Sequence, residues 1–237
     1  MRIANCVGVT LKLLLGALAA LAISTGAHAA TVVWDFGVGP NGVTTASWQN
    51  NQGQSHTYTA SGLSITASAF GPAKSGAADQ LYGKHSGGDE NGLGMTNDPS
   101  GEDEIYYNKG FVQIDVNALV GHVIAGSEYL TFDSTTQGET WAVYGSNTKG
   151  VVGSAALPAT KTFISSGGAE NTLVQLTGGY RYYDVISFAS AGGKNVLIKS
   201  LTVSATPEPG TWAMMMLGVF AMGAVLRAKR REIPAAA

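Results

Sequence analysis

The sequence predicts an all-β fold, an antiparallel β-sandwich of Greek-key or jelly-roll type, with one apolar helix at each end of the chain. Three observations carry that reading. Short β-branched and aromatic runs recur between clusters of Gly, Asn and Ser, the pattern of strands separated by turns. The 32 glycines among 237 residues are about twice the ordinary share. Long apolar stretches occur at the two ends and nowhere between them.

The first element is a signal helix. Arg2 and Lys12 precede the apolar stretch Leu13 to Ile23, and Ala27-His28-Ala29 follows with the small-x-small pattern that a signal peptidase accepts. Residues 1–29 are therefore expected to be a cleaved signal peptide. Cys6, the single cysteine, lies inside that segment. The exported part then has neither a disulfide nor a cysteine-based zinc site, although export permits disulfides.

Residues 30–205 form the expected exported domain. Its strands are read at "TVVWDF" 31–36, "LSITASAF" 63–70, "FVQIDV" 111–116, "EYLTF" 128–132, "TWAVYG" 140–145, "YYDVISF" 182–188 and "NVLIKSLTVSA" 195–205. Several alternate apolar and polar residues, as half-buried antiparallel strands do. In the last, Val196, Ile198, Leu201 and Val203 share a face only if the strand breaks phase near Lys199-Ser200, so a β-bulge is expected there. A single turn of helix is expected near 115–121, and the polar run 37–55 reads as a loop or mobile edge. No repeat at a fixed period appears, which weighs against a solenoid or propeller. Residues 31–206 hold eight basic and fourteen acidic residues, a net charge of −6. That balance excludes a nucleic-acid partner, whose phosphates require a basic surface.

Motifs that would carry chemistry are weak or ambiguous. Gly37, Gly39 and Gly42 match G-x-G-x-x-G after a strand, but Pro40 and the Val43-Thr44-Thr45 run open no helix, and no acidic residue follows before Asp79. The dinucleotide fingerprint needs both. Six carboxylates, Asp89, Glu90, Asp98, Glu102, Asp103 and Glu104, crowd sixteen residues among glycines and amides. Oxygen-rich loops of this kind suit calcium, with Asp89, Asp98, Glu102 and Asp103 as the ligands; the alternative is a solvated acidic loop. The spacing is not that of an EF-hand, since Leu93 stands fifth from Asp89 and Ser100 twelfth. His56, His85 and His122 sit in no H-E-x-x-H, and no G-x-S-x-G occurs. Carboxylate pairs for glycoside hydrolysis could be drawn from Glu102, Glu104 and Asp184, too many to single one out. Trp48, Tyr58, Tyr106, Tyr107 and Tyr180 are candidates for stacking on sugars, while Trp34 and Trp141 belong to the core.

The chain ends in "TPEPGTWAMMMLGVFAMGAVLRAKRR", residues 206–231, followed by a short tail, 232–237. Pro207 and Pro209 hold Glu208 in an extended peptide. Trp212 to Leu226 is an apolar helix of roughly 22 Å, short against a hydrocarbon core of about 30 Å. Trp212 suits the outer interface, and Arg227, Lys229, Arg230 and Arg231 would keep the far end and the 232–237 tail cytoplasmic. The order of Pro-Glu-Pro, apolar helix and basic end closely resembles the PEP-CTERM sorting signal of Gram-negative bacteria. The resemblance covers residues 207–231. It implies a transmembrane sorting helix and recognition near Pro207-Glu208-Pro209 by an exosortase, a membrane-embedded cysteine transpeptidase. It also implies transient anchoring in the inner membrane, then release or transfer to the cell surface or exterior, and a link to exopolysaccharide, cell envelope and biofilm matrix. "NGLGMTNDPSGEDEI" followed by "FVQIDV" is similar to a β-rich domain common among PEP-CTERM proteins, with a Gly-Leu-Gly turn before an acidic segment. A non-catalytic exported surface or matrix protein is the expectation. A calcium-assisted carbohydrate-binding module and a secreted glycan-active enzyme are the alternatives.

Overall fold

A computed structural model describes residues 29–38, 49–71, 77–88, 90–96, 98–135, 138–152, 162–168, 170–188, 195–207 and 209–231. Nearly all of the expected signal segment, Trp48, Asp89, Glu208 and the 232–237 tail lie outside them. Thr31–Ala205 forms one compact unit, and the two ends of the chain belong to a second.

The first unit is two antiparallel sheets packed as a sandwich. One sheet runs β13 (Val174–Gln175), β10 (Tyr129–Asp133), β15 (Asn195–Ala205), β7 (Asn91–Met95), β6 (Leu81–His85) and β2 (Asn50–Gly53), with β1 (Ala30–Asp35) and β8 (Ile105–Tyr106) also paired to β15. The other runs β12 (Thr162–Gly167), β11 (Trp141–Ser146), β14 (Tyr182–Ser187), β9 (Phe111–Asp115), β4 (Leu63–Gly71) and β3 (Ser55–Ala60), with β5 (Ala77–Ala78) on β4. The chain changes sheet at β2–β3, β5–β6, β8–β9, β9–β10, β10–β11, β12–β13, β13–β14 and β14–β15, and the last strand, β15, pairs between β10 and β7.

All seven strands read from the sequence are present. The expected bulge is present too: on β10 the register steps between Thr131, opposite Ser200, and Phe132, opposite Ile198. Lys199 is the extra residue, and its ammonium turns to Asp133 at 3.2 Å. Because of that step, Val196, Ile198, Leu201 and Val203 all lie fully buried in the one core. The core is pinned across the sheets by aromatic pairs. Phe132 stacks on Trp141 at 4.4 Å, and Phe36 meets Tyr58 edge-on at 5.3 Å. Trp34 donates its indole N–H to the Tyr58 carbonyl at 3.1 Å. Each such side chain contributes roughly 1.5–3 kcal/mol by leaving water.

Sequence reading missed β2, β3, β6, β7 and β12, and the two-residue strands β5, β8 and β13. The 37–55 run, expected to be a loop or mobile edge, contains β2 at the end of the first sheet's strand order, and the supposed Gly-Leu-Gly turn is the strand β7. In β7, Leu93 enters the core while Gly92 and Gly94 face the opposite side. A Cβ at Gly94 would stand 2.1 Å from the Asp103 carbonyl oxygen, and one at Gly92 would stand 2.7 Å from the Ile198 carbonyl oxygen. Bare strand is what lets the acidic segment lie flat on this sheet, and Met95 N–H donates to the Asp103 carbonyl at 3.1 Å. Gly94→Ala should accordingly destabilise the domain by about 1–3 kcal/mol, the range for overpacking a well-packed site. Denaturant unfolding checks this; an unchanged midpoint would mean that the segment does not press on the strand.

Candidate functional site

The outer face of the first sheet carries a buried charged cluster. Lys84 stands on β6 three positions after the core residue Leu81, an odd offset that puts its side chain on the outer face of the sheet, toward the acidic segment. There its ammonium donates to Glu90 Oε2 and Glu104 Oε1, both at 2.5 Å, and to Glu102 Oε2 at 3.2 Å. The Lys84 and Glu104 side chains are 6% and 2% exposed, whereas Glu102 is 60% exposed at the rim. Ser134, just past β10, lies 2.9 Å from Glu104 and 3.1 Å from Glu90 and ties the two carboxyls together. Burial, and then the hydrogen bond with Glu90, push the Glu104 carboxyl from its ordinary 4.5 up to about 8. The same Glu90–Glu104 contact, with the Lys84 ammonium, holds Glu90 below its ordinary value. Burial pulls Lys84 down, but hydrogen bonds to Glu104 and Glu90 outweigh it and keep the ammonium charged. At neutral pH the cluster is thus one lysinium, one ionised and one protonated buried carboxyl, and Glu102 at the edge. Sequence reading gathered the carboxylates and overlooked their cation, because Lys84 comes from a strand with no recognisable alternation.

A local frame holds the segment in place. Asp98 is buried and caps it, accepting from the Ser100 N–H at 2.8 Å, the Ser100 hydroxyl at 2.6 Å and the Glu104 N–H at 3.3 Å. Asn195, the first residue of β15, reaches Asp98 and Ser100 at 3.4 and 3.2 Å. Asp103 adopts φ 59°, and burial, followed by the neighbouring Asp98 charge, raises its carboxyl. The four expected calcium ligands are therefore distributed as follows. Asp98 serves backbone and hydroxyl donors, Glu102 faces Lys84, Asp103 supports β7 through its carbonyl, and Asp89 is outside the described residues. Among the described residues no group of three or more His, Cys, Asp or Glu is arranged to hold a metal ion.

Other candidates separate in space. His85 Nδ1 is 2.8 Å from the Gly37 carbonyl, which orients the ring on the backbone. Asp184 accepts from Gln113 at 2.7 Å. Both alternate with core residues of the second sheet, so Asp184 lies across the sandwich from Glu102 and Glu104 and pairs with neither. Of the aromatics considered for sugar stacking, Tyr58 is 2% exposed and belongs to the core, while Tyr107 is exposed. Trp34 and Trp141 are buried as expected.

The terminal unit contributes helix α1 (Pro209–Arg231), 23 residues and about 34 Å at 1.5 Å per residue. It begins at the second proline of the motif, so Pro207 precedes the helix and Pro209 opens it, where a missing N–H costs nothing. Met214, Leu217, Val219, Phe220, Val225 and Leu226 are all exposed. The expectation of a transmembrane helix is corrected in one respect: among the described residues no helix is long and apolar enough to cross a membrane. The described side chains of α1 run from Ala213 to Arg227, about 22 Å, and Gly218 and Gly223 lower its hydropathy. Lys229, Arg230 and Arg231 occupy its last turn.

The last strand of the β-sandwich is followed within four residues by an apolar helix with a basic end, the order of a C-terminal sorting signal. That signal is the PEP-CTERM protein-sorting motif, matched over residues 205–231, and it marks the chain as an exosortase substrate. No curated protein and no solved structure matches the chain.

The charged cluster sets a pH dependence. Glu104 binds its proton more tightly folded than unfolded, so its contribution to stability is fully present below about pH 4.5 and is lost as pH rises toward 8. Glu90, shifted the other way, contributes above its ordinary value and loses that contribution as pH falls below it. Melting curves should therefore show stability declining between pH 5 and 8 in the wild type, and a flatter profile in Glu104→Gln. Parallel profiles would mean that Glu104 ionises as an ordinary carboxyl.

Proposed function

We propose that this chain is a non-catalytic exported protein of the cell surface or extracellular matrix, associated with exopolysaccharide or the envelope. The observation that carries the reading is the sorting motif itself, joined directly to the last strand of a sandwich. The signal peptidase frees the N-terminus after Ala29. Helix α1 holds the precursor transiently at the inner membrane, with Arg227, Lys229, Arg230 and Arg231 on the cytoplasmic side, and the exosortase then acts near Pro207-Glu208-Pro209. A non-catalytic role is supported by the charged cluster, whose carboxyls are engaged with Lys84, Ser134 and backbone N–H groups. A matrix role is supported by the domain's net negative charge and by its structural economy: one rigid sandwich without need of disulfides.

Anchoring and sorting make different demands on the tail. Insertion depends on hydrophobicity and flanking charge, whereas recognition depends on the extended Pro-Glu-Pro. Glu208→Gln removes the motif's charge and leaves α1 unchanged. In a host with an exosortase, the variant should accumulate as the longer membrane-associated form while the wild type loses residues beyond the motif and reaches the exterior. Mass spectrometry of the mature C-terminus measures this. Wild-type protein ending at Ala237 would make the segment an ordinary anchor.

A further inference from the structure

One end of the sandwich carries an apolar cavity that the sorting reading does not use. It measures about 440 Å³, with walls from Val116, Leu119, Val123, Leu176, Tyr180 and Tyr183. The 3₁₀ turn Asn117–Leu119 and the segment after it form one side. Its rim is unusually bare, because Gly121, Gly126, Gly178 and Gly179 all adopt positive φ. Beyond the rim Val120 is 75% and Ile124 44% exposed, an apolar pair at the tip of a negatively charged domain.

The chain leaves the sandwich at this same end. Val123 bridges Ala205, the last residue of β15, and Ile124 N–H donates to the Ser204 carbonyl at 2.8 Å. Three residues, Thr206, Pro207 and Glu208, separate Ala205 from the start of α1, and fully extended they span only about 10 Å. A motif that is processed by a membrane-embedded enzyme must come to the bilayer surface. Whatever the orientation of the rest, so short a tether brings the cavity end with it. The acidic segment is toward the other end: Asp98 is tied to Asn195 at the start of β15, and the eleven residues of that strand separate its two ends by at most about 33 Å. The Lys84 carboxyls are thereby set back from this end, where Glu128 is the one acidic residue of the cavity wall and the exposed apolar pair stands beyond it.

We infer that the Val120–Ile124 end of the sandwich docks on the lipid surface, the two side chains entering the headgroup boundary and the cavity behind them taking up apolar lipid segments, while the precursor awaits processing. The inference rests on the sorting reading and adds a second membrane contact to it. The contact gives the sandwich a fixed orientation over the bilayer and presents Pro207-Glu208-Pro209 at its surface.

The test uses the full chain with Cys6→Ser and a single added cysteine, either Val120→Cys or Lys109→Cys, labelled with an environment-sensitive fluorophore. Lys109 N–H donates to the Tyr106 carbonyl, and Tyr106 pairs with Asn195, so its label reports the far end. Both proteins are mixed with phosphatidylethanolamine–phosphatidylglycerol vesicles carrying a lipid-borne quencher and floated on a density gradient. The inference expects both to float, with the label at 120 shifted to the blue and losing most of its emission to the quencher, and the label at 109 unaffected. Floating protein whose label at 120 remains as unquenched as that at 109 overturns the inference and leaves tail anchoring intact. Protein that does not float overturns tail anchoring and the inference together.

Discussion

The outer layer of the first sheet depends on a buried ammonium being matched by carboxylates. Lys84 draws Glu90, Glu102 and Glu104, residues from two separate turns, onto a strand that would otherwise show bare backbone to solvent. Removing one partner from a buried ionic group typically costs about 3–5 kcal/mol, because the others are left unmatched. The raised proton affinity of Glu104 follows from its burial and from its contact with Glu90. Gly94 makes the arrangement possible by letting the segment approach to backbone contact, while Gly92 leaves room for the neighbouring strand β15. The sandwich beneath is held independently, by aliphatic and aromatic burial and by the Lys199 bulge that keeps one long strand in phase with the core.

Legibility in the sequence followed the physics of alternation. Strands with β-branched or aromatic residues on a period of two, such as Phe111–Asp115 and Tyr182–Ser187, announce themselves. So does the Lys199 bulge, because a phase error in an eleven-residue strand has no other remedy. Strands built from glycine and amides do not: "NNQG" and "NGLGM" owe their conformation to neighbouring strands and to close backbone approach, which composition reads as turn. The acidic segment was visible, but its partner was not. Six carboxylates in sixteen residues suggest a cation, and nothing local indicates that the cation is a lysine contributed by the preceding strand. Asp98 shows the same limit, since a carboxylate that caps backbone N–H groups has the same spacing as one that binds a metal. The sorting motif was legible because its determinants, two prolines around a glutamate, an apolar run and a basic end, act in linear order.

The two units answer to different requirements. The sandwich must survive export without a disulfide, and it does so with a continuous core between two sheets. Helix α1 leaves its apolar side chains exposed, and among the described residues no helix is long and apolar enough to cross a membrane. The matched sorting motif begins at Ala205, the last residue of β15, and runs through α1.

The claim that Lys84 fastens the acidic segment to the sandwich is tested most directly by native-state hydrogen exchange on the wild type and on Lys84→Met. The amides to follow are Met95, bonded to Asp103, and Glu104, bonded to Asp98, with Val112, Ile114 and Val185 as reporters of the core. The account predicts that the variant loses protection at Met95 and Glu104 while the core amides remain protected. Equal protection at Met95 and Glu104 in both proteins would contradict it, and would mean that the glycine strand and the Asp98 cap hold the segment without the charge.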